Sequence, residues 1–345
     1  MAISWVSMGF PNDCNKSREL LRAMFAEFLS MTLFLFFGTG SVIATGEFLT
    51  QDGVARENTV GRLMPIAMAF GMTIMVLVYS TGNLSGGHIN PAVTLFLCLI
   101  QQISPPRAVA YIIAQLLGAV LGSALTWGAT SGMGSDDVGS PPFALGANSL
   151  NSDLTSGNGF LFEMMGTFLL CLVILLTAVR GGGPTDGQPN LAPLCIGFSI
   201  FIAHIVLIPF TGCGINPART FGPAVVNSFA GDNLWDSWSW IYYVGPGVGA
   251  VLAAMCYLVF VEEDEGDVSS NADVHKYHMP ENAKSTGYRV ESDSETDEEP
   301  VDDTMKDKDV EMVKQKRRHK KKLRNVNKEI AEGIKTVEPS SISQI

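Results

Sequence analysis

Gly86-Gly87-His88-Ile89-Asn90-Pro91-Ala92-Val93 and Gly214-Ile215-Asn216-Pro217-Ala218-Arg219 repeat one another inside long apolar sequence. In each copy Asn-Pro-Ala reads as a helix start, because Asn is a strong N-cap and Pro fits the first helical turn, where its missing N–H costs nothing. The apolar run after Asn90 lasts to about Ile100 and the one after Asn216 to about Asn227, so each helix has roughly 11 residues and a length of about 16 Å. That is half of a bilayer core of about 30 Å. Half-length helices in matching places of two halves signify broken helices that meet at the membrane midplane. Irregular backbone at that depth is tolerated only where it lines a cavity or is buried in protein.

Charge is distributed as this reading requires. Of 345 residues, 47% are hydrophobic and 17% charged. Residues 1–261 carry 8 Lys/Arg and 13 Asp/Glu, whereas residues 262–345 carry 15 and 21. Six stretches, 23–44, 63–82, 108–129, 158–179, 191–210 and 238–261, are each near the 20 residues that a crossing needs. The expected fold is an all-α membrane protein of six transmembrane helices plus two half-helices in inverted repeats. It divides into a cytoplasmic N-terminal segment (1–22), a channel domain (23–261) and a charged tail (262–345). Lys16, Arg18, Arg22, Arg107 and Arg180 lie on the side of the N-terminus, against Arg56 and Arg62 opposite, which puts both termini in the cytoplasm. No signal peptide is apparent, and the outer loops hold no Asn-X-Ser/Thr acceptor. The six cysteines show no metal or disulfide spacing.

The duplication extends beyond the two motifs. Ala26-Glu27-Phe28 in the first span is matched by Phe162-Glu163-Met164 in the fourth. Three spans per half invert the second half, so the half-helices enter from opposite faces. An intramembrane carboxylate is costly and a functional candidate by default. One per half suits a brace, accepting hydrogen bonds from the half-helix loops, better than a proton relay. Gly118 and Gly122, and Gly245, Gly247 and Gly249, read as close helix contacts.

Two helix N-termini aimed at one midplane point make it hostile to cations. Asn90 and Asn216 add amide donors for a passing oxygen, and unwound carbonyls supply acceptors. Arg219 opposes its helix dipole and carries an insertion cost of about 2.5 to 3.5 kcal/mol. No carboxylate is close to it in sequence, so it reads as a donor and charge barrier in a narrow pore.

With these residues the chain resembles the aquaporins, or major intrinsic proteins, over about residues 20–261. It is most similar to water-selective members, and especially to the plant plasma-membrane intrinsic type, through Ser85-Gly86-Gly87-His88-Ile89-Asn90-Pro91-Ala92-Val93 and Leu191-Ala192-Pro193-Leu194. The resemblance implies a selectivity filter at Phe70, His204, Cys213 and Arg219. In it Phe70 and His204 narrow the opening, His204 and Arg219 donate to water, and Cys213 offers mercurials a blocking site. Glycerol-conducting relatives usually have Gly for the His and Asp after the Arg, whereas this chain has His204 and Thr220. Tyr242-Tyr243 and Pro223 depart from the water-selective pattern. The resemblance also implies a homotetramer with one pore per subunit.

In the plant members a loop between the fourth and fifth spans carries a pH-sensing His, but Gly187 stands there. Leu191 matches the leucine that plugs the pore in those relatives, or simply starts the fifth span. Ser104 matches a loop phosphosite, or is an ordinary turn serine before Pro105. From Glu262 the chain reads as disordered. Residues 262–311 carry a net charge of −13 and residues 312–345 a net +7. Glu291–Glu299 resembles acidophilic-kinase substrate sequence. Lys314–Arg324 is either a contact for anionic lipid or a cytoplasmic partner, worth up to about 1 kcal/mol per basic residue, or a solvated charge run.

The leading expectation is a passive water channel that excludes protons and ions, in a plasma membrane rather than an internal one. Two alternatives stand: a broader pore for glycerol, urea, ammonia or hydrogen peroxide, and a membrane scaffold with a partner-binding tail. No nucleophile–base pair, metal cluster or phosphate loop marks an enzyme, and no cofactor, metal or nucleic-acid partner is expected.

Overall fold

A computed structural model describes residues 10–14, 16–51, 59–131, 133, 141–180 and 190–260. The loop position Gly187 and the tail 262–345, with its acidic and basic stretches, lie outside the described residues. In chain order the helices are α1 (Ser17–Gln51), α2 (Thr59–Ser85), α3 (Pro91–Leu99), α4 (Pro105–Thr130), α5 (Ser156–Ile174), α6 (Ala192–Thr211), α7 (Pro217–Phe229) and α8 (Ile241–Phe260). No strand occurs among the described residues. The protein is an all-α, multi-pass membrane protein. Among the described residues six helices are long and apolar enough to cross a bilayer, and α3 and α7 are the short ones.

The two halves correspond helix by helix. α1 packs on α2 and α4, as α5 packs on α6 and α8, while α2 and α6 pack on each other across the two halves. Each half-helix crosses into the other half: α3 lies against α8, and α7 against α4. A Cβ on Gly118 would collide with the Phe28 carbonyl oxygen, and one on Gly249 with that of Met164. These helices therefore approach backbone to backbone. Gly247 differs from the expectation: its Cβ position faces open space, so it is no contact point.

Boundaries differ from the sequence reading where hydropathy and helix geometry part company. α1 starts six residues before the apolar run at 23 and has 35 residues, because a polar first turn satisfies a helix as well as an apolar one. The fourth span ends in a π turn over Leu175–Val179. The half-helices are unequal rather than both about 11 residues. α3 has 9 residues and stops at Ile100, before Gln101 at φ 60°; α7 runs to 13.

Candidate functional site

Asn90 caps α3 with its side chain, Oδ1 accepting from Ala92 N at 2.8 Å. Asn216 caps α7 in the same way, accepting from Ala218 N at 3.1 Å. Pro91 and Pro217 occupy the first turns. The motifs then bind each other: Asn90 Nδ2 donates to Ile215 O at 2.9 Å, and Asn216 Nδ2 donates to Ile89 O at 2.8 Å. Ile89 and Ile215 adopt φ of 50° and 44°, a left-handed region that costs a β-branched residue about 1–3 kcal/mol. That conformation turns their carbonyls to the opposite Asn. One amide hydrogen of each Asn is thus engaged with the opposite motif.

Glu27 and Glu163, both fully buried, hold the loops that lead into these caps. Glu27 accepts from Ser85 Oγ (2.6 Å) and His88 N (2.9 Å) at Oε1, and from Ile89 N (2.7 Å) and Gln115 Nε2 (2.8 Å) at Oε2. Glu163 accepts from Thr211 Oγ1 (2.5 Å), Gly214 N (2.9 Å) and Ile215 N (2.5 Å). Every oxygen of both carboxylates faces donors, as a buried charge demands.

Sequence reasoning missed five members of these clusters. Tyr111 OH donates to Ser85 O at 2.8 Å, and Tyr242 OH donates to Thr211 O at 2.6 Å, so a Tyr–hydroxyl–Glu unit occurs in both halves. Ser85 and Thr211 each lie five residues before the capping Asn, a shared offset from which they were findable. Gln115 belongs to one half only. It bridges Glu27 to Thr94 Oγ1 (3.0 Å), which in turn contacts His88 Nδ1 at 3.1 Å; Pro246 stands four residues after Tyr242, where Gln115 follows Tyr111.

The structure brings Phe70, His204 and Arg219 together. The Phe70 and His204 rings stack with centroids 4.4 Å apart, and Arg219 Cζ lies 5.1 Å from the Phe70 centroid. Gly38 in α1 makes room for Phe70, since a Cβ there would fall 2.7 Å from the ring. Cys213 is fully buried with φ 55°, its N–H on Thr211 Oγ1 at 3.2 Å. Arg219 is 3% exposed, forms no ion pair among the described residues, and has Nε and Nη1 unpartnered. The His204 ring is held by a backbone carbonyl of its own helix. Its Nδ1 lies 2.9 Å from Ile200 O, and a carbonyl only accepts, so Nδ1 carries the proton. Nε2 has no partner among the described residues; it accepts when the ring is neutral and donates when the ring is charged.

The other two residues lie elsewhere. Leu191 is 54% exposed just before α6, about 20 Å along the helix axis from His204. Ser104 is 4% exposed and caps α4; its N–H donates to Asp13 Oδ2 at 3.1 Å, and its Oγ lies 3.4 Å from Cys14 Sγ.

Six spanning helices, two opposed half-helices joined at their caps and a buried cation beside stacked rings define a membrane channel of inverted repeats. The sequence model of the Major intrinsic protein family matches residues 15–257, and the chain belongs to that family of passive channels for water or small solutes. Aquaporin-1 of Sus scrofa is 40% identical over 262 residues, 75% of this chain and 89% of that protein. Aquaporin-1 of Homo sapiens is 38% identical over 259 residues, with the same coverage of 75% and 89%. The X-ray structure of the aquaglyceroporin from Plasmodium falciparum matches at a TM-score of 0.59 over 69% of this chain and 95% of that one, with 24% identity, a likeness of fold. These relatives give no support to the expected closeness to the plant plasma-membrane group.

Proposed function

We propose that this channel conducts water down an osmotic gradient and excludes protons, ions and polyols. The reading rests above all on the Phe70–His204–Arg219 constriction, in which the stacked rings lie 4.4 Å apart and Arg219 Cζ 5.1 Å from Phe70. Such a site is narrow, offers one donor group and one acceptor, and leaves little apolar wall for the carbon side of a polyol. The similarity to aquaporin-1 supports the same reading. Two opposed helix N-termini and the Arg219 charge disfavour cations at both constrictions.

Further parts of the proposal follow from the family and the charge pattern. The unit is a homotetramer with one pore per subunit, in the plasma membrane, with both termini cytoplasmic. Residues 23–261 form the channel, and the tail 262–345 contacts anionic lipid or a cytoplasmic partner. Glu27 and Glu163 brace the half-helix loops. Leu191 and Ser104 serve as gate residues, Leu191 by its exposed place at the mouth of α6.

A broader pore is the second reading, favoured by Pro223 inside α7. It removes the N–H that would bind the Arg219 carbonyl, and the structural neighbour is an aquaglyceroporin by title.

Stopped-flow shrinkage of proteoliposomes, run with an impermeant solute and again with glycerol, separates these. Fast water flow without glycerol entry, blocked by mercury in the wild type and unaffected by mercury in Cys213→Ser, supports the water pore and its filter. Glycerol entry transfers support to the broader pore, and water flow equal to that of empty liposomes transfers it to the scaffold reading.

A further inference from the structure

The outer connection between α4 and α5 is held against the pore by more than packing. Phe143, Ala144 and Leu145 all take φ near 50°, a left-handed turn that non-glycine residues adopt only under constraint. Leu145 is fully buried with Ile43 and Val226, and Ala144 O accepts from Asn227 Nδ2 of α7 at 3.0 Å. The turn delivers Asn148, 8% exposed, to the outer side of the filter.

Asn148 meets both stretches of backbone on which filter residues are mounted. Its Oδ1 accepts from Thr220 Oγ1 at 2.8 Å, and Thr220 follows Arg219 directly. On its other side lies Gly212, the residue before Cys213, at φ 72°. A Cβ on Gly212 would come within 3.2 Å of Asn148 Cα and 3.4 Å of Asn148 Nδ2. Three residues further on, Asn151 N donates to Phe210 O at 2.9 Å, at the end of the helix that carries His204. Asn148 Nδ2 has no partner among the described residues. An unpaired buried donor is unfavourable for stability alone, which sets Asn148 apart from a residue kept only to hold the loop.

We infer that Asn148 is a specificity-determining positioning residue: through Thr220 and Gly212 it fixes the spacing between the Arg219 and Cys213 sides of the filter, and so the size of solute admitted. The inference rests on the water-selective reading above. Losing the Thr220–Asn148 bond frees the first turn of α7 to move away from Phe70 and His204. The aperture then widens while the donor and acceptor that serve water remain.

The test compares wild type, Asn148→Ala, Thr220→Val, the double variant and Thr220→Ser in proteoliposomes, each assayed for water shrinkage and glycerol entry. Val is isosteric with Thr and keeps its packing, so Thr220→Val removes the bond with the least disturbance. The expected result is a glycerol-to-water permeability ratio raised about five-fold in both single variants, the scale of one neutral hydrogen bond. The double variant shows no further rise, because both changes remove the same bond, and Thr220→Ser returns the wild-type ratio. A ratio unchanged in variants that still conduct water overturns the inference. So does loss of folded channel in both single variants, which makes the contact a folding staple only. Glycerol entry through the wild type overturns the water-selective reading instead, and the ratio of each variant to wild type still reports on Asn148.

Discussion

Glu27 and Glu163 are acceptors whose partners cannot turn around. His88 N and Ile89 N sit on opposite oxygens of Glu27, and Gly214 N and Ile215 N on opposite oxygens of Glu163. A glutamine in either place presents an NH2 group to one of those backbone donors, whichever way the amide is rotated. Ser85, Gln115 and Thr211 can reorient to follow it; the backbone N–H cannot. Glu27→Gln and Glu163→Gln are therefore each expected to lose about 1–3 kcal/mol, the cost of one orphaned buried donor. The loss reads as a lowered melting temperature of the detergent-solubilised protein. An unchanged melting temperature in both variants would show that the carboxylates do not hold the loops.

At the scale of the helix, close approach sets what substitutions do. Gly118→Ala and Gly249→Ala each place a methyl against a backbone carbonyl of the partner helix, from Phe28 and Met164. Neither carbonyl can rotate away without breaking its own helix. An overpacking cost of about 1–3 kcal/mol is expected for each. Gly247→Ala, which meets nothing within 4 Å, is the internal control and keeps wild-type stability or gains slightly from helix propensity. Thermal unfolding of the three variants side by side checks this, and equal behaviour of Gly247→Ala and Gly249→Ala would contradict it. This difference was not legible in the sequence, where Gly245, Gly247 and Gly249 look alike. Spacing tells which glycines share a face, but only the partner helix tells which face is covered. The half-helix starts were legible because the Asn cap and the following Pro are local chemistry. Their unequal lengths were not, since α3 ends at a left-handed Gln101 that has no composition signal. Tyr111, Tyr242 and Gln115 were missed for a related reason: a single polar residue in an apolar run has no period, and its partner is up to 88 residues away.

Over the whole molecule, two inverted halves supply the junction of the two Asn caps and the Phe70–His204–Arg219 cluster, and every residue assigned to them lies between Glu27 and Tyr242. The halves match in their Tyr–hydroxyl–Glu units and their crossed half-helices, and they differ in what the threonine after each cap binds. Thr94 of α3 binds Gln115 and His88, whereas Thr220, four residues after its own cap like Thr94, binds Asn148 of the connection between α4 and α5. His204 and Arg219 thus come from the second half and Phe70 from the first. The tail 262–345 lies outside that range. A chain ended after Val261 is therefore expected to insert and to conduct water at a unit rate within about two-fold of the full chain, since the pore barrier is set by local donors and acceptors. Freeze-fracture counting of channels in the same proteoliposomes used for stopped flow gives the rate per channel. A drop well beyond that range, with the truncated protein inserted and folded, would mean that the tail acts on the pore itself and is more than an attachment to lipid or a partner.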